Sequence, residues 1–280
     1  MPCVIHNQQR LELQPHETVL DCLLRHGVAL SYACKAGMCQ ACLVRAVGCE
    51  ASEESRKWIK PALQAKGYTL ACKWVPDTDV GAALPDLADF ATKATIARLE
   101  PLNSSVLKVV LDIDDPRRMF NYRPGQYLNA TNALGVTRAY SIANAPSFSG
   151  PLELHVRHLP GGLFTDQVFS TLKEKDILRI EGPQGTFFLR DDSERPVVLL
   201  GSGTGLAPLK AIIEDMVHKG VTRPTVLYWG CRTRADLYLH DWCTEQAAQH
   251  PWLRYVPVLS DALPTDAWTG RTGFVHQAVL

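Results

Sequence analysis

No stretch of this sequence is apolar for long enough to cross a bilayer, which excludes a membrane-spanning helix as its organising element. Neither sign of charge is in excess: 29 Lys and Arg balance 29 Asp and Glu, so nothing in the balance points to nucleic acid. The opening MPCVIHNQQR has neither the basic start nor the apolar segment of a secretion leader. A disulfide framework needs an oxidising compartment and an even cysteine count, and this chain has nine cysteines. These absences describe a protein of the reducing cytoplasm, expected to bind no nucleic acid and no membrane. At 280 residues and 46% apolar content, the chain is long enough for two or three compact domains.

What is present is a cysteine pattern. Cys34, Cys39 and Cys42 stand at C-x4-C-x2-C spacing, and Cys72 follows as a remote fourth thiol. A zinc ribbon usually presents two C-x2-C knuckles, and here there is one; zinc stays open as the alternative for a bare thiolate cluster. The spacing matches the plant-type pattern for a [2Fe–2S] cluster, in which backbone amides of the ligand loop point at the sulfides. The stretch SYACKAGMCQACLVRA resembles plant-type ferredoxin domains fused to reductases. Gln40 departs from the glycine that many of these carry, which bears on hydrogen bonding to the cluster more than on ligation.

The residues around the loop read as a β-grasp ferredoxin domain over 1–85. Val4-Ile5 and Leu11-Glu12-Leu13 flank a polar turn at 7–10, and a helix is expected from Glu17 to His26 with Gly27 as its stop. A strand at 43–46 and a returning strand at 68–72 complete it. Cys3, Cys22 and Cys49 are expected to be structural, and Pro76–Thr92 a linker.

Residues 93–191 alternate apolar strands with Gly/Pro turns, the pattern of an antiparallel β-barrel. Pro124-Gly125-Gln126-Tyr127 and Arg138-Ala139-Tyr140-Ser141 resemble the ferredoxin–NAD(P)H reductase family and its R-x-Y-S/T strand. On a strand Arg138 and Tyr140 share a face; a guanidinium fork suits a diphosphate and an aromatic ring suits a flavin. The resemblance implies that Arg138 binds the FAD phosphate, Tyr140 packs on the flavin and Ser141 lies near its reactive nitrogen, the last two forming the catalytic pair. A plain strand with an exposed arginine and a buried tyrosine is the competing reading.

A second phosphate element follows at Leu159-Pro160-Gly161-Gly162-Leu163-Phe164-Thr165, before a helix expected to begin at Asp166. Glycines at a helix start let amides approach an anion, so Gly161, Gly162 and Thr165 are assigned to FAD by the family's G-G-x-x-S/T segment. Thr165 could equally cap the helix. His155 and Arg157, on the strand feeding this loop, join the cofactor-binding candidates, although His155 and His158 suit a plain strand or surface role better than that of ligands. Gly182-Pro183-Gln184-Gly185-Thr186-Phe187 resembles the turn that ends the family's flavin domain.

From 195 to 280 strands and helices alternate, as in a parallel α/β nucleotide-binding domain. The continuous apolar run at 195–200 reads as a buried strand, and it meets Gly201-Ser202-Gly203-Thr204-Gly205-Leu206-Ala207-Pro208, a phosphate cradle before a helix. This is not the usual dinucleotide fingerprint, because Leu206 takes the third glycine's place. It resembles the reductase family's G-x-G-x-G-x-x-P, which assigns Gly201, Gly203, Thr204, Gly205 and Pro208 to NADH or NADPH. Further strands are expected at 225–229 and 254–260, with a helix from Asp236 to His250 between them. The ribose-reading carboxylate is missing after the second strand, where Arg232 and Arg234 stand; they suit a 2′-phosphate or are surface charges, and relatives often use NADH. The family's fourth strand and C-G-x-P segment do not follow Gly270–His276, so this domain is expected to be incomplete at its C-terminus with the first strand's edge open.

Taken together, the resemblance implies a reductase component passing electrons from NAD(P)H through FAD to a [2Fe–2S] cluster and on to an oxygenase. A non-oxygenase acceptor such as a sugar deoxygenation enzyme is the alternative, as is a carrier module that does not oxidise NAD(P)H.

Overall fold

The computed structural model describes residues 2–30, 32, 35–37, 42–59, 61–86, 91–113, 122–146 and 151–279. It divides into two compact units, Met1–Phe90 with Gln184–Thr186, and Ala91–Pro183 with Phe187–Leu280.

The first unit is built on a five-stranded sheet. β1 (Cys3–His6) and β2 (Gln9–Glu12) form a hairpin closed by Asn7 and Gln8, both at positive φ (47° and 67°). That is the primed-turn geometry whose twist matches paired strands, so the turn is tighter than the 7–10 expected. Helix α1 (Val19–Arg25) starts where Thr18 accepts from the Asp21 N–H, and it buries Val19, Leu20, Cys22 and Leu23. β3 (Leu43–Val47), α2 (Glu53–Arg56), α3 (Pro61–Gln64) and β4 (Tyr68–Leu70) follow. The returning strand is shorter than expected, because Ala71–Lys73 tightens into a 3₁₀ turn that carries Cys72.

The expected linker at 76–92 is corrected in its middle, where β5 (Val80–Ala83) inserts between β1 and β3, parallel to the first and antiparallel to the second. Small residues make this possible. Val80 and Ala82 bury one face, and a Cβ on Gly81 would stand 2.2 Å from the Val47 carbonyl oxygen.

The second unit begins with a six-stranded antiparallel sheet: β6 (Ala91–Pro101), β7 (Val106–Ile113), β8 (Tyr127–Thr131), β9 (Thr137–Ser141), β10 (Leu152–Arg157) and, after helix α4 (Thr165–Ser170), β11 (Ile177–Gln184). The order is β10-β7-β6-β11-β8-β9. A bridge between Ile142 and Leu154 and a 2.8 Å bond from the Ala143 N–H to the Glu153 carbonyl join its two ends, closing the barrel. Alternate residues such as Ile96, Leu111, Leu128, Leu154 and Ile180 fill it.

A parallel sheet, β12 (Val197–Ser202), β13 (Thr225–Cys231), β14 (Leu253–Leu259) and β15 (Arg271–Thr272), follows in that order, with α5 (Leu206–Lys219) and α6 (His240–Gln249) between strands. The expected helix from Asp236 starts later, because Thr233 and Asp236 close a capping box around a separate 3₁₀ turn at Arg234–Asp236. β12 is not wholly buried as its apolar run implied. Among the described residues it is the sheet's edge; Leu199 packs inward, and Val198 and Leu200 are exposed (56% and 42%).

Candidate functional site

In the first unit Cys42, at the head of β3, and Cys72, in the turn after β4, are buried side by side (2% and 6% exposed). The Ala71 N–H bonded to the Cys42 carbonyl at 3.0 Å fixes that approach. The Cys72 thiol is pulled down to about 7, chiefly by its hydrogen bond with Cys42 and then by the Gly37 backbone, against burial that raises it. Its surroundings therefore favour the thiolate that iron requires, which fits a [2Fe–2S] ligand set. Cys34, Cys39 and Gln40 lie outside the described residues. Cys3, Cys22 and Cys49 sit apart, Cys22 in the α1 core and Cys49 with its thiol 3.7 Å from the Gly81 carbonyl.

In the barrel, Arg138 and Tyr140 share a face of β9, opposite Ala130 and Leu128. Arg138 is exposed, with one guanidinium nitrogen on the Thr137 carbonyl at 2.8 Å. Tyr140 is half-buried, its phenol pushed up to about 12 by burial, and its ring stands 5.4 Å from Phe164 at 41°. That contact joins the R-x-Y-S strand to the glycine loop. Ser141 pairs with Tyr127 and points to the opposite face.

Within the loop Thr165 does not cap α4, whose N-cap is Phe164 without a side-chain bond. Its hydroxyl instead donates to the Leu159 carbonyl (2.9 Å) and accepts from the Leu159 N–H (3.2 Å). A Cβ on Gly162 would stand 2.6 Å from the Thr165 hydroxyl and 2.8 Å from the Leu159 carbonyl, so only glycine fits this turn. The Gly161 N–H donates to the Asp166 carboxylate at 3.0 Å, and the same carboxylate meets His158 Nε2 at 2.9 Å. The sequence pattern gave no role to Asp166, yet an acidic residue two positions into a helix that follows glycines is a readable signal. A turn that only glycine fits at Gly162, with the Gly161 amide able to meet an anion and the Tyr140–Phe164 ring pair beside it, fits the phosphate and ring of FAD.

In the parallel layer β12 ends at Ser202, Gly203–Gly205 turn once and α5 begins at Leu206, with Pro208 in its first turn where no backbone N–H is needed. Gly201 packs closely: a Cβ there would lie 2.9 Å from the Gly205 carbonyl. Gly203 takes φ +53°, and its carbonyl accepts from Trp229 Nε1 at 2.8 Å, while the space beside Gly205 is open. In front of the turn is a cavity of about 350 Å³ whose lining includes Gly203, Gly230, Cys231, Arg232 and Phe274. A glycine turn at a helix start lining this cavity fits the phosphates of a dinucleotide. Arg232 meets the Asp261 carboxylate at 3.1 Å, and Arg234 meets the Asp266 carbonyl at 3.2 Å. Cys231 is buried, which pushes its thiol up to about 12.

Two further sequence candidates lie on β10. Arg157 lines the nucleotide cavity, where its Nη1 would be 3.2 Å from a Cβ on Gly203. His155 is 4% exposed, and its Nδ1 lies 3.0 Å from the Tyr238 hydroxyl, away from the glycine loop. Lys210, which the sequence reading passed over, is 8% exposed and bonds the Ala143 carbonyl (3.1 Å), Glu153 (3.2 Å) and Glu214 (2.5 Å). Its place between Leu206 and Ile213 on the apolar face of α5 was the available sign.

This arrangement defines a flavin- and nicotinamide-binding oxidoreductase with an iron–sulfur domain ahead of it. The chain matches a 2Fe-2S iron-sulfur cluster binding domain over residues 4–77, an oxidoreductase FAD-binding domain over 93–189 and an oxidoreductase NAD-binding domain over 199–280. It is 37% identical over 271 residues to the CDP-6-deoxy-L-threo-D-glycero-4-hexulose-3-dehydrase reductase of Yersinia pestis, covering 94% of this chain and 80% of that one. It is 34% identical over 281 residues to the phenol hydroxylase P5 protein of Acinetobacter pittii, covering 96% and 78%. The solved Amycolatopsis cytochrome P450 reductase GcoB superposes with a TM-score of 0.64 at 32% identity, over 100% of this chain and 86% of that one. The chain belongs to the ferredoxin–NAD(P)H reductase superfamily, among the reductases with an N-terminal plant-type ferredoxin domain. It is an NAD(P)H-dependent electron-transfer reductase using FAD and a [2Fe–2S] cluster. Among the described residues no helix is long and apolar enough to cross a membrane.

Proposed function

We propose that this chain is the reductase component of an oxygenase, working in the cytoplasm and handing single electrons to an oxygenase partner. The observation that carries the redox assignment is the convergence of Tyr140 on Phe164, which unites the flavin strand with the glycine loop in the same compact unit as the nucleotide turn. Relatives named for phenol, naphthalene and terephthalate oxygenation support the acceptor class. The relatives named for CDP-hexulose dehydration support the second reading, a dehydrase acceptor.

FAD and the cluster, when bound, supply hydride acceptance and one-electron transfer; the chain places and tunes them. Arg138 and the Gly161-Gly162-Thr165 turn hold the flavin phosphates and Tyr140 covers the ring; Ser141, directed to the other face at the end of β9, reaches the ring's reactive edge only where that edge passes the strand's end. Gly201–Gly205 and Arg157 hold the dinucleotide phosphates. Cys34, Cys39, Cys42 and Cys72 hold iron. Arg232 and Arg234 already have Asp261 and Asp266 as partners, so a 2′-phosphate must compete for them, and this favours NADH.

The test is an anaerobic assay in which the holoprotein, reduced by NADH, is mixed with an oxidised aromatic-ring oxygenase component or with an oxidised dehydrase of the sugar type. Oxidation of the reductase by the oxygenase supports the proposal. Reaction with the dehydrase alone replaces it with the second reading. Equal rates with NADPH would remove the stated nucleotide preference.

A further inference from the structure

β10 presents Glu153, His155 and Arg157 on one face, and all three reach out of the barrel into the nucleotide layer. Glu153 meets Lys210 on α5, His155 meets Tyr238 after β13, and Arg157 stands over Gly203 with Asp236 3.9 Å away. The same strand runs on into Leu159–Thr165, the flavin-phosphate turn. One rod therefore indexes both cofactor sites.

The middle tooth is continuous with the nucleotide loop. His155 and Tyr238 meet edge to face, with ring centroids 5.4 Å apart at 88° and the hydroxyl 3.0 Å from Nδ1. Tyr238 in turn meets Trp229 edge to face at 5.2 Å and 86°. The indole N–H of Trp229 donates to the Gly203 carbonyl at 2.8 Å. Each link is directional: a T-shaped ring pair and a hydrogen bond tolerate little rotation, and His155 and Trp229 are buried with Tyr238 half-buried between them. His155 Nε2 is buried with no partner, a cost that a residue serving only to fill a strand would not need to carry.

Resting on the reading that NAD(P)H is the electron donor, we infer that His155, through Tyr238 and Trp229, is a positioning residue that sets the Gly203 carbonyl and so holds the nicotinamide against the flavin. Hydride transfer is steeply sensitive to placement, and a displacement of the loop by a fraction of an ångström is felt at the reacting atoms if the dinucleotide is gripped at its phosphates. Burial, with Lys210 and Lys108 near, lowers the His155 pKa to about 3. The imidazole is thus neutral throughout the working range, and the relay carries position without charge.

The test uses FAD- and cluster-replete holoprotein and anaerobic stopped-flow reduction by NADH. Tyr238→Phe keeps the ring and removes the hydroxyl; Trp229→Phe removes the donor to Gly203; Tyr255→Phe, which breaks a similar hydroxyl–histidine contact with His240 (3.2 Å), is the control. The expected result is a fall of about tenfold or more in the flavin reduction rate at saturating NADH for Tyr238→Phe and Trp229→Phe, with FAD content and dithionite-reduced spectra unchanged. The control should react as wild type, and a His155→Asn/Tyr238→Phe double variant should lose little more than Tyr238→Phe. Unchanged saturating rates in variants that fold and retain FAD would overturn the relay. If wild type itself is not reduced by NADH or NADPH, the donor assignment fails first and takes this inference with it. A variant too unstable to load FAD is replaced by the other, since the two break different links of one chain.

Discussion

His155 was legible as a candidate but not in its role. The sequence put it among the cofactor-binding candidates beside a plain strand role, and only the barrel's closure turns it toward Tyr238. Its buried neutral state has a consequence for stability. The folded pKa, about 3, lies below the ordinary value of 6.5, so between these two pH values the unfolded chain binds a proton that the folded chain does not. Stability is then complete above pH 6.5 and lost at up to about 1.4 kcal/mol per pH unit as pH falls below it. Chemical denaturation of wild type and His155→Phe at pH 7.5 and about 5.5 should show a smaller acid loss in the variant; equal losses would remove the assignment.

At the same scale, Asp166 places a carboxylate against the Gly161 amide where the flavin diphosphate is assigned. Two anions in one turn repel, with the repulsion screened by salt. Asp166→Asn keeps an acceptor for Gly161 and removes the charge. Fluorescence titration of the apoprotein should give a roughly threefold tighter FAD dissociation constant at low ionic strength, narrowing at high salt. Weaker binding would show that the carboxylate, with His158, builds the turn rather than competing for it.

Elements were mostly readable where a single periodicity ruled. α1 appears close to its expected bounds, and α5 and the barrel strands appear in the regions where they were expected, because their apolar residues fall at helical or alternating spacing. β5 was missed: its Val-Gly-Ala-Ala sequence is too small and short to carry a pattern, and its place between β1 and β3 comes from pairing partners remote in sequence. The exposed Val198 and Leu200 were misread for a related reason, since an apolar run states hydrophobicity without saying which faces find cover.

α5 also holds the barrel through Lys210, whose ammonium joins Glu153 of β10 to Glu214 of its own helix; the free Glu214 oxygen accepts the Ala145 N–H at 3.0 Å. Replacing the lysine alone leaves two carboxylates in a poorly hydrated seam. Lys210→Met should destabilise this unit by about 3 kcal/mol, and adding Glu153→Gln and Glu214→Gln should restore most of it. Thermal unfolding of the three-substitution variant decides the point: no recovery would mean that lysine packing, not charge balance, holds the seam.

For the whole molecule, three cofactor sites were announced by short motifs in a set order, because each motif is local: thiol spacing, an R-x-Y-S strand and glycine turns before helices. The contacts that couple flavin and nucleotide were not announced, since Glu153, Arg157, Lys210 and Tyr238 gain meaning only when distant strands and helices meet. The central claim is that electrons enter as a pair from NAD(P)H at the flavin and leave singly through the iron–sulfur centre. The most direct measurement is anaerobic reduction by NADH of wild type and Cys72→Ser, following flavin absorbance and the cluster's paramagnetic signal in the same freeze-quenched samples. Wild type should bleach its flavin and then develop the reduced-cluster signal, while Cys72→Ser bleaches its flavin without that signal. Appearance of the cluster signal in wild type with the flavin removed, or its persistence at full intensity in Cys72→Ser, would contradict the account.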